Sequence, residues 1–467
     1  MNFRQFLHGR AAVVLMSMTV LIASPVPAQA APARAKPKAK AIATGVAARK
    51  ATPAAAVDPA LAAAIRNEAG GKIADFYQSR GFRPLWTTLQ GRIGTAAQEF
   101  LQYLDEAEVD GLRSSRYKPD ALREAIARSD QGGAVEIAKA DVALTKAFVR
   151  YVADMRKVRN VGMTYVGKGL KPAKVADSTI LRVAALKNFG DYVRAMGWMS
   201  PHYLRMRSAL RAAERKGADR ETLSVLRLNV ERARVLPSPA VRHIVVDAAA
   251  ARLYYYQDGE QVGSMRVVVG ARETQTPMLA GYVNWAIFNP YWNVPDYLVR
   301  DNVARKILSG RTLDSMHMQA LSDWSAQPAV LDPATIDWQA VRDGRQDLRV
   351  RELPGAWNSM GKVKFLFPND EGIYLHDTPN RDLLVKEDRH LSNGCIRLED
   401  APALGRWMMG KSFGTKSEAP EQAVPLPAPV PVYLTYLTAT AGTKGVALLA
   451  DVYGRDGRRG ERPEPLL

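Results

Sequence analysis

Two prolines, Pro237 and Pro239, divide this chain into halves of different periodicity. Before them apolar residues recur at helical spacing, and after them they fall in short β-branched and aromatic runs. One regular packing cannot serve both patterns. The expected class is therefore α+β, with a helical region over 58–237 and a β-rich domain over 238–458. Within the first half, Ala134 to Arg159 places Val135, Ile137, Val142, Leu144, Phe148, Val149, Val152 and Met155 near helical spacing. A second helical run extends from His202 to Leu236. The aromatic group at Phe82, Pro84, Leu85 and Trp86 is expected to be core, and the half as a whole reads as a scaffold.

In the second half the strand candidates are Val241 to Asp247, Arg252 to Tyr256 and Val262 to Val269. The sequence Gln257-Asp258-Gly259-Glu260 is placed as a hairpin turn. Further strands are expected at Val283 to Phe288, Val363 to Phe367, Ile373 to His376, Val432 to Leu437 and Ala447 to Val452. A polar insertion from about 298 to 360 is too long for an ordinary connection, which suggests a cap over a site. Residues 459–467 form a short tail.

The N-terminal residues bear on compartment. Arg4 and Arg10 precede or open an apolar run over 11–23, and Ala28-Gln29-Ala30 has the small-x-small pattern of a signal-peptidase site, so residues 1–30 read as a cleaved signal peptide. The run is short of the roughly 20 residues that span a bilayer. Export to the periplasm, with no membrane anchor left after cleavage, is the expectation. Residues 31–57, nearly all Ala, Pro and Lys, read as a disordered linker.

Sixty-five Lys and Arg against 47 Asp and Glu give a formal charge of +18, which favours an anionic partner. Nucleic acid, anionic lipid and acidic cell-wall polymer share that charge. Export and the lack of a nucleic-acid motif disfavour the first. A single cysteine, Cys395, excludes an internal disulfide and a thiolate metal cluster, and the six histidines show no ligand spacing. No metal or cofactor is expected.

The chemistry concentrates in Ile373-Tyr374-Leu375-His376-Asp377-Thr378-Pro379 and Arg389-His390-Leu391-Ser392-Asn393-Gly394-Cys395-Ile396-Arg397. On a strand, Tyr374 and His376 share a face and Asp377 points away. Ser392-Asn393-Gly394 sets Cys395 at a turn with backbone N–H groups beside it. A thiol so placed near an imidazole suits nucleophilic acyl transfer: the imidazole takes the proton, and backbone donors hold the oxyanion. The bland alternative is an inert buried cysteine. His390 is a rival base, and His317 is expected at the surface.

This window resembles the catalytic motif of the L,D-transpeptidases, the YkuD-type domain, in which a strand His precedes Ser/Thr-x-Gly-Cys by some twenty residues. It is most similar to the large periplasmic branch with a helical scaffold domain. Further motifs agree in order: Leu228-Asn229-Val230-Glu231-Arg232, Val268-Val269-Gly270 with Thr276-Pro277, Phe288 through Pro295, Val432 through Tyr436, and Asp451 through Asp456. Two departures stand out. Asn393 replaces the His that many members carry before Gly-Cys, and 171–235 is short for the extra peptidoglycan-binding module of that branch.

The resemblance implies an acyltransferase with Cys395 as nucleophile and His376 as base. Its donor and acceptor would be peptidoglycan tetrapeptide stems, its product a 3→3 cross-link, and carbapenem β-lactams would be covalent inhibitors. Gly394, Tyr374, Arg397, Ser392 and Asn393 would serve the oxyanion and substrate. For Arg397 a stem carboxylate and a structural salt bridge stand as equal alternatives. Trimming or lipoprotein attachment would use the same acyl-enzyme. A peptidoglycan-binding scaffold with weak or no activity is the alternative from another class, and a papain-like peptidase is disfavoured because His precedes Cys here.

Overall fold

The computed structural model describes residues 57–457 except 89, 186–187, 326 and 443–444. The signal peptide expected over 1–30, the linker over 31–57 save its last residue, and the tail over 459–467 lie outside the described residues.

The first half holds α1 (Pro59–Glu68), α2 (Ala74–Ser79), α3 (Thr95–Asp105), α4 (Pro119–Gln131), α5 (Ala134–Met155), α6 (Asp177–Ala185), α7 (Phe189–Arg194), α8 (Pro201–Arg215) and α9 (Arg220–Arg234). Their apolar faces meet around Trp86, Phe100, Phe148, Tyr151 and Trp198. Edge-to-face ring contacts, such as Phe148 on Trp198 with centroids 5.3 Å apart, lock this centre. Leu85 and Trp86 belong to the core as expected, whereas Phe82 is half-buried at its edge.

Two buried carboxylates peg the helices together. Asp141 accepts the Tyr77 hydroxyl at 2.5 Å and the backbone N–H groups of Leu85 and Trp86 at 2.9 and 2.7 Å. Asp110 accepts the hydroxyls of Tyr151 and Tyr203 at 2.8 and 2.6 Å and pairs with Arg207 at 2.8 Å. Burying such charges is tolerable because every one is bonded.

The single run expected from His202 to Leu236 is instead two helices. Gly217 takes a left-handed φ of +67° after α8, and the Asp219 carboxylate caps α9 through the Thr222 N–H at 2.8 Å. A second correction concerns β1 (Thr164–Tyr165). It lies in the half read as helical, yet it joins the β-domain sheet alongside Leu279 and Ala280.

The β-domain contains β2 (His243–Asp247), β3 (Arg252–Gln257), β4 (Glu260–Gly270), β5 (Leu279–Phe288), β6 (Trp292–Val294), β7 (Met318–Leu321), β8 (Arg349–Glu352), β9 (Val363–Leu366), β10 (Leu375–His376), β11 (His390–Ser392), β12 (Ile396–Leu398), β13 (Gln422–Thr435), β14 (Ala439–Gly442) and β15 (Gly445–Leu448). Hydrogen-bonded order runs β5-β13-β2-β3-β4-β12-β10-β9, and β9 returns to pair with β5, so the sheet closes into a barrel. Val246, Leu253, Val267, Phe365, Leu375 and Ile396 fill its interior. The expected turn at Asp258-Gly259 joins β3 to β4, both residues at positive φ as a type I′ hairpin requires. The helix over Ala401–Met409 packs its Leu404 and Met408 against the same core.

β13 starts ten residues before the strand expected at Val432. Its prolines 425, 427, 429 and 431 argue against a central strand, and they are accommodated where β13 lacks a partner on the β2 side and breaks register with β5 between Pro425 and Val430. Residues 422–425 pair with β5 alone, the register then shifts between Pro425 and Val430, and pairing with β2 begins at Val432. The strand expected at Ala447 to Val452 is shifted, since β15 ends at Leu448 and pairs with β14.

The two halves share a joint at α9. Asn229 donates to Thr438 Oγ1 at 2.9 Å, and Arg232 pairs with Asp456 at 2.7 Å with its guanidinium over the Tyr436 ring. The Leu228–Arg232 and Asp451–Asp456 motifs therefore fasten domains together. The insertion is a folded subdomain beginning at Trp292. β6, β8 and β7 form an antiparallel sheet in that order over a separate core of Val294, Val303, Trp338 and Val350. Among the described residues no helix is long and apolar enough to cross a membrane.

Candidate active site

β10 and β12 run parallel, with Leu375 opposite Ile396 and His376 opposite Arg397. Leu375 and Ile396 point into the barrel core. Alternation then turns Tyr374, His376, Cys395 and Arg397 outward on one face, one inter-strand spacing of about 4.8 Å apart. Sequence distance of 19 residues is thus closed by a single strand pairing.

The turn before Cys395 is braced from both sides. Gly394 has φ +106°, and a Cβ there would stand 3.1 Å from Ile373 Cδ1, so glycine is required. Ser392 Oγ donates to the Cys395 carbonyl at 2.6 Å and accepts the Gly394 N–H at 3.2 Å. Thr276 Oγ1 donates to the Gly394 carbonyl at 2.7 Å and accepts the Gly270 N–H at 2.9 Å. Two expectations change accordingly. Ser392 is buried and shapes the turn without facing substrate, and the Gly394 N–H is already engaged, leaving the Cys395 N–H as the donor with no partner among the described residues. Asn393 is exposed at the turn's tip.

Cys395 Sγ donates to the Gly372 carbonyl at 3.6 Å. Burial pushes the thiol pKa up to about 11, with the backbone of Tyr374 and the Arg397 charge pulling the other way. His376 is buried, and burial followed by the Arg397 charge pushes its pKa down to about 3. Its Nδ1 donates to the Asp377 carbonyl at 2.6 Å, so the lone pair lies on Nε2, and the Met360 backbone also bears on the ring. Thiol and imidazole are both neutral near pH 7. The group that orients the imidazole is a main-chain carbonyl, which no side-chain motif reveals. The Asp377 carboxylate faces elsewhere, accepting the Lys362 N–H at 3.0 Å and pairing with Arg381 at 2.8 Å.

Arg397 has no salt bridge among the described residues, and its buried Nε has no hydrogen-bond partner there. Burial lowers its pKa, while Cys395 raises it. That removes the structural-salt-bridge alternative for the described chain. Lys364, opposite His376 on β9, is paired with Glu421 at 2.9 Å. Burial and then the Cys395 charge raise the pKa of Tyr374, so its hydroxyl remains a donor. Tyr297, in the short helix α10 (Asp296–Leu298) of the insertion, is raised by the same two causes in the same order, which brings a phenol of that subdomain within electrostatic reach of the thiol. It lies just outside the insertion as bounded from sequence.

His390 is held away from this chemistry. Its Nδ1 contacts Asp388 at 2.7 Å, and its Nε2 contacts the Ala248 carbonyl at 2.9 Å. His317 is exposed and stacks on Trp357 with ring centroids 3.8 Å apart.

Residues 241–432 match the YkuD family, described as an L,D-transpeptidase catalytic domain, and residues 71–210 match the Scaffold domain family. A Haemophilus influenzae protein named "Putative L,D-transpeptidase" is 28% identical over 396 residues, which cover 82% of this chain and 78% of that protein. Among solved structures, an L,D-transpeptidase from Mycobacterium smegmatis is 16% identical and covers 41% of this chain and 58% of its own, with a TM-score of 0.20. A mutant Enterococcus faecium L,D-transpeptidase is 12% identical and covers 43% and 51%, with a TM-score of 0.19. This chain therefore spans little more than half the length of those solved chains. The chain thus carries a Scaffold domain ahead of a YkuD L,D-transpeptidase catalytic domain, and over most of its length it is similar to a protein named a putative L,D-transpeptidase.

Proposed function

We propose that the protein is a periplasmic peptidoglycan L,D-transpeptidase that forms 3→3 cross-links through a thioester on Cys395. The observation that carries this reading is the pairing of β10 with β12, which sets the sole thiol and a tautomerically fixed imidazole on one outward face. Rotation of the Cys395 side chain turns Sγ from the Gly372 carbonyl toward His376 Nε2, which takes the proton as Sγ attacks the carbonyl of the donor's third residue. The oxyanion is met by the Cys395 N–H and the Tyr374 hydroxyl. His376 passes the proton to the departing D-Ala amine as the C–N bond breaks. An acceptor amine then attacks the thioester, its proton moving through His376 back to Sγ.

Arg397 supplies an unpaired cation beside these atoms and suits a stem carboxylate. Tyr297 supports the insertion as a cap that excludes water from the thioester. Carbapenems would open on the same thiol. Incubating the mature protein with tetrapeptide muropeptides and identifying products by mass tests the reading. Dimers that have lost one D-Ala and carry the 3→3 link are expected, and products unchanged by Cys395→Ala would reject it.

A further inference from the structure

The peptide bond between Gly394 and Cys395 is one rigid plane, so whatever holds the Gly394 carbonyl also aims the Cys395 N–H, the donor proposed for the oxyanion. Thr276 Oγ1 holds that carbonyl at 2.7 Å. What holds Thr276 lies far along the chain. Tyr453 Oη accepts the Thr276 N–H at 3.4 Å and donates to the Gly270 carbonyl at 2.6 Å. The neighbouring Gln275 donates from Nε2 to the Tyr453 carbonyl at 3.1 Å and accepts Arg455 Nη2 at 2.7 Å. The loop that carries both is wound tightly, since a Cβ at Gly270 would meet the Thr274 carbonyl oxygen at 2.1 Å.

The 451–456 segment that supplies these groups is braced by its own bonds. Asp451 accepts the N–H groups of Arg455 and Asp456 and the Tyr436 hydroxyl, each at 2.9 Å. That hydroxyl in turn accepts the Tyr453 N–H at 2.9 Å, and the Tyr436 and Tyr453 rings stack with centroids 4.9 Å apart. The far end of the segment is held by the helical half. Arg232 of α9, 2% exposed, donates to Asp456 at 2.7 Å and to the Arg455 carbonyl. Arg232, Tyr436, Tyr453 and Thr276 are all buried, so little water competes for these bonds. Both Arg232 and Tyr453 lie outside the matched stretches 71–210 and 241–432.

We propose that Arg232 and Tyr453 are positioning residues for the nucleophile's turn: α9 anchors the 451–456 segment, the segment sets Gln275 and Thr276, and Thr276 aims the Cys395 N–H. This rests on the reading of Cys395 as the acylated residue. It gives the helical half a part in the reaction without contact to substrate.

The test uses the full mature chain carrying Tyr453→Phe, which keeps the ring and drops the hydroxyl, or Arg232→Met. Amide exchange at Gly394 is expected to quicken about 3- to 10-fold in each variant, as loss of a buried hydrogen bond predicts, while exchange at Val246 in the barrel stays native. Should Arg232→Met lose the fold, Arg232→Lys, which can still reach Asp456, takes its place. In tetrapeptide turnover kcat should fall about 10-fold with KM within about twofold, because an oxyanion donor acts on the transition state. The double variant should lose well under the product of the single losses, since both cut one chain of contacts. Native exchange at Gly394 in both variants, a rise in KM at unchanged kcat, or losses that multiply would overturn the proposal. Altered exchange at Gly394 in a protein that makes no cross-links would sink the proposed reaction and leave the positioning standing.

Discussion

Two buried carboxylates of the scaffold and the polar groups around Cys395 make opposite use of hydrogen bonding. In the scaffold Asp110 and Asp141 are wholly buried, and each is surrounded by donors from three other positions. On the catalytic face the Arg397 guanidinium is largely enclosed with its Nε unsatisfied, and the Cys395 N–H lacks a partner among the described residues. Completed networks fix one packing, whereas groups left incomplete are available to a ligand that completes them. The contrast sets Asp110 and Asp141, whose bonding is complete, against Arg397 and Cys395, whose bonding is not.

The largest effect is expected at His376, the proposed base. His376→Ala should slow thioester formation by about 10²- to 10⁴-fold, the usual range for a removed general base, and raising the pH should recover part of it. A mutant with near-native rates at pH 7 would remove His376 from the reaction.

Paired substitutions probe the comparison itself. Asp110→Ala strands Arg207, Tyr151 and Tyr203, and is expected to cost about 3–5 kcal/mol in denaturant unfolding. Arg397→Met should leave stability within about 1 kcal/mol, because no native pair is broken, yet lower donor kcat/KM roughly 10- to 100-fold. Equal destabilisation by the two would erase the distinction.

The resting charge state gives a pH signature. Burial raises the thiol pKa to about 11 and lowers the imidazole pKa to about 3, which favours the neutral pair over a thiolate–imidazolium pair near neutrality. Alkylation of Cys395 by iodoacetamide should therefore rise about tenfold per pH unit between 7 and 9, since the thiolate is the reactive form. A plateau across that window would show a thiol already ionised.

The smallest effect is expected at the proposed cap. Tyr297→Ala is expected to raise hydrolysis of the proposed thioester relative to cross-linking a few-fold, read from product ratios. An unchanged ratio in folded protein would detach the insertion from catalysis.

Local signals made much of this legible in sequence. The Asp258-Gly259 turn, the β-branched runs and the Ser392–Cys395 turn each encode their geometry within a few residues. What stayed hidden depends on distant pairing. β1 is two residues long and is a strand only because β5 lies beside it. The proline strand is allowed by one-sided pairing and a break in register between Pro425 and Val430, and barrel closure needs β9 to meet β5. At the site, Cys395 and His376 were visible as reactive types in a motif. The Asp377 carbonyl was not, because every residue has one, and Tyr297 was not, because a folded insertion of some sixty residues delivers it. The bonding of Ser392 and Gly394 to each other shows the converse: motif residues can be spent on shaping the turn.

The central claim is that Cys395 carries the acyl group. Intact-mass and peptide-level mass spectrometry of the protein, quenched during turnover of a tetrapeptide donor, tests it directly. The account predicts one equivalent of added mass equal to the donor less D-Ala, located on Cys395, accumulating further in His376→Ala at high pH and absent in Cys395→Ala. An adduct on another residue, or cross-linked product from Cys395→Ala, would contradict it.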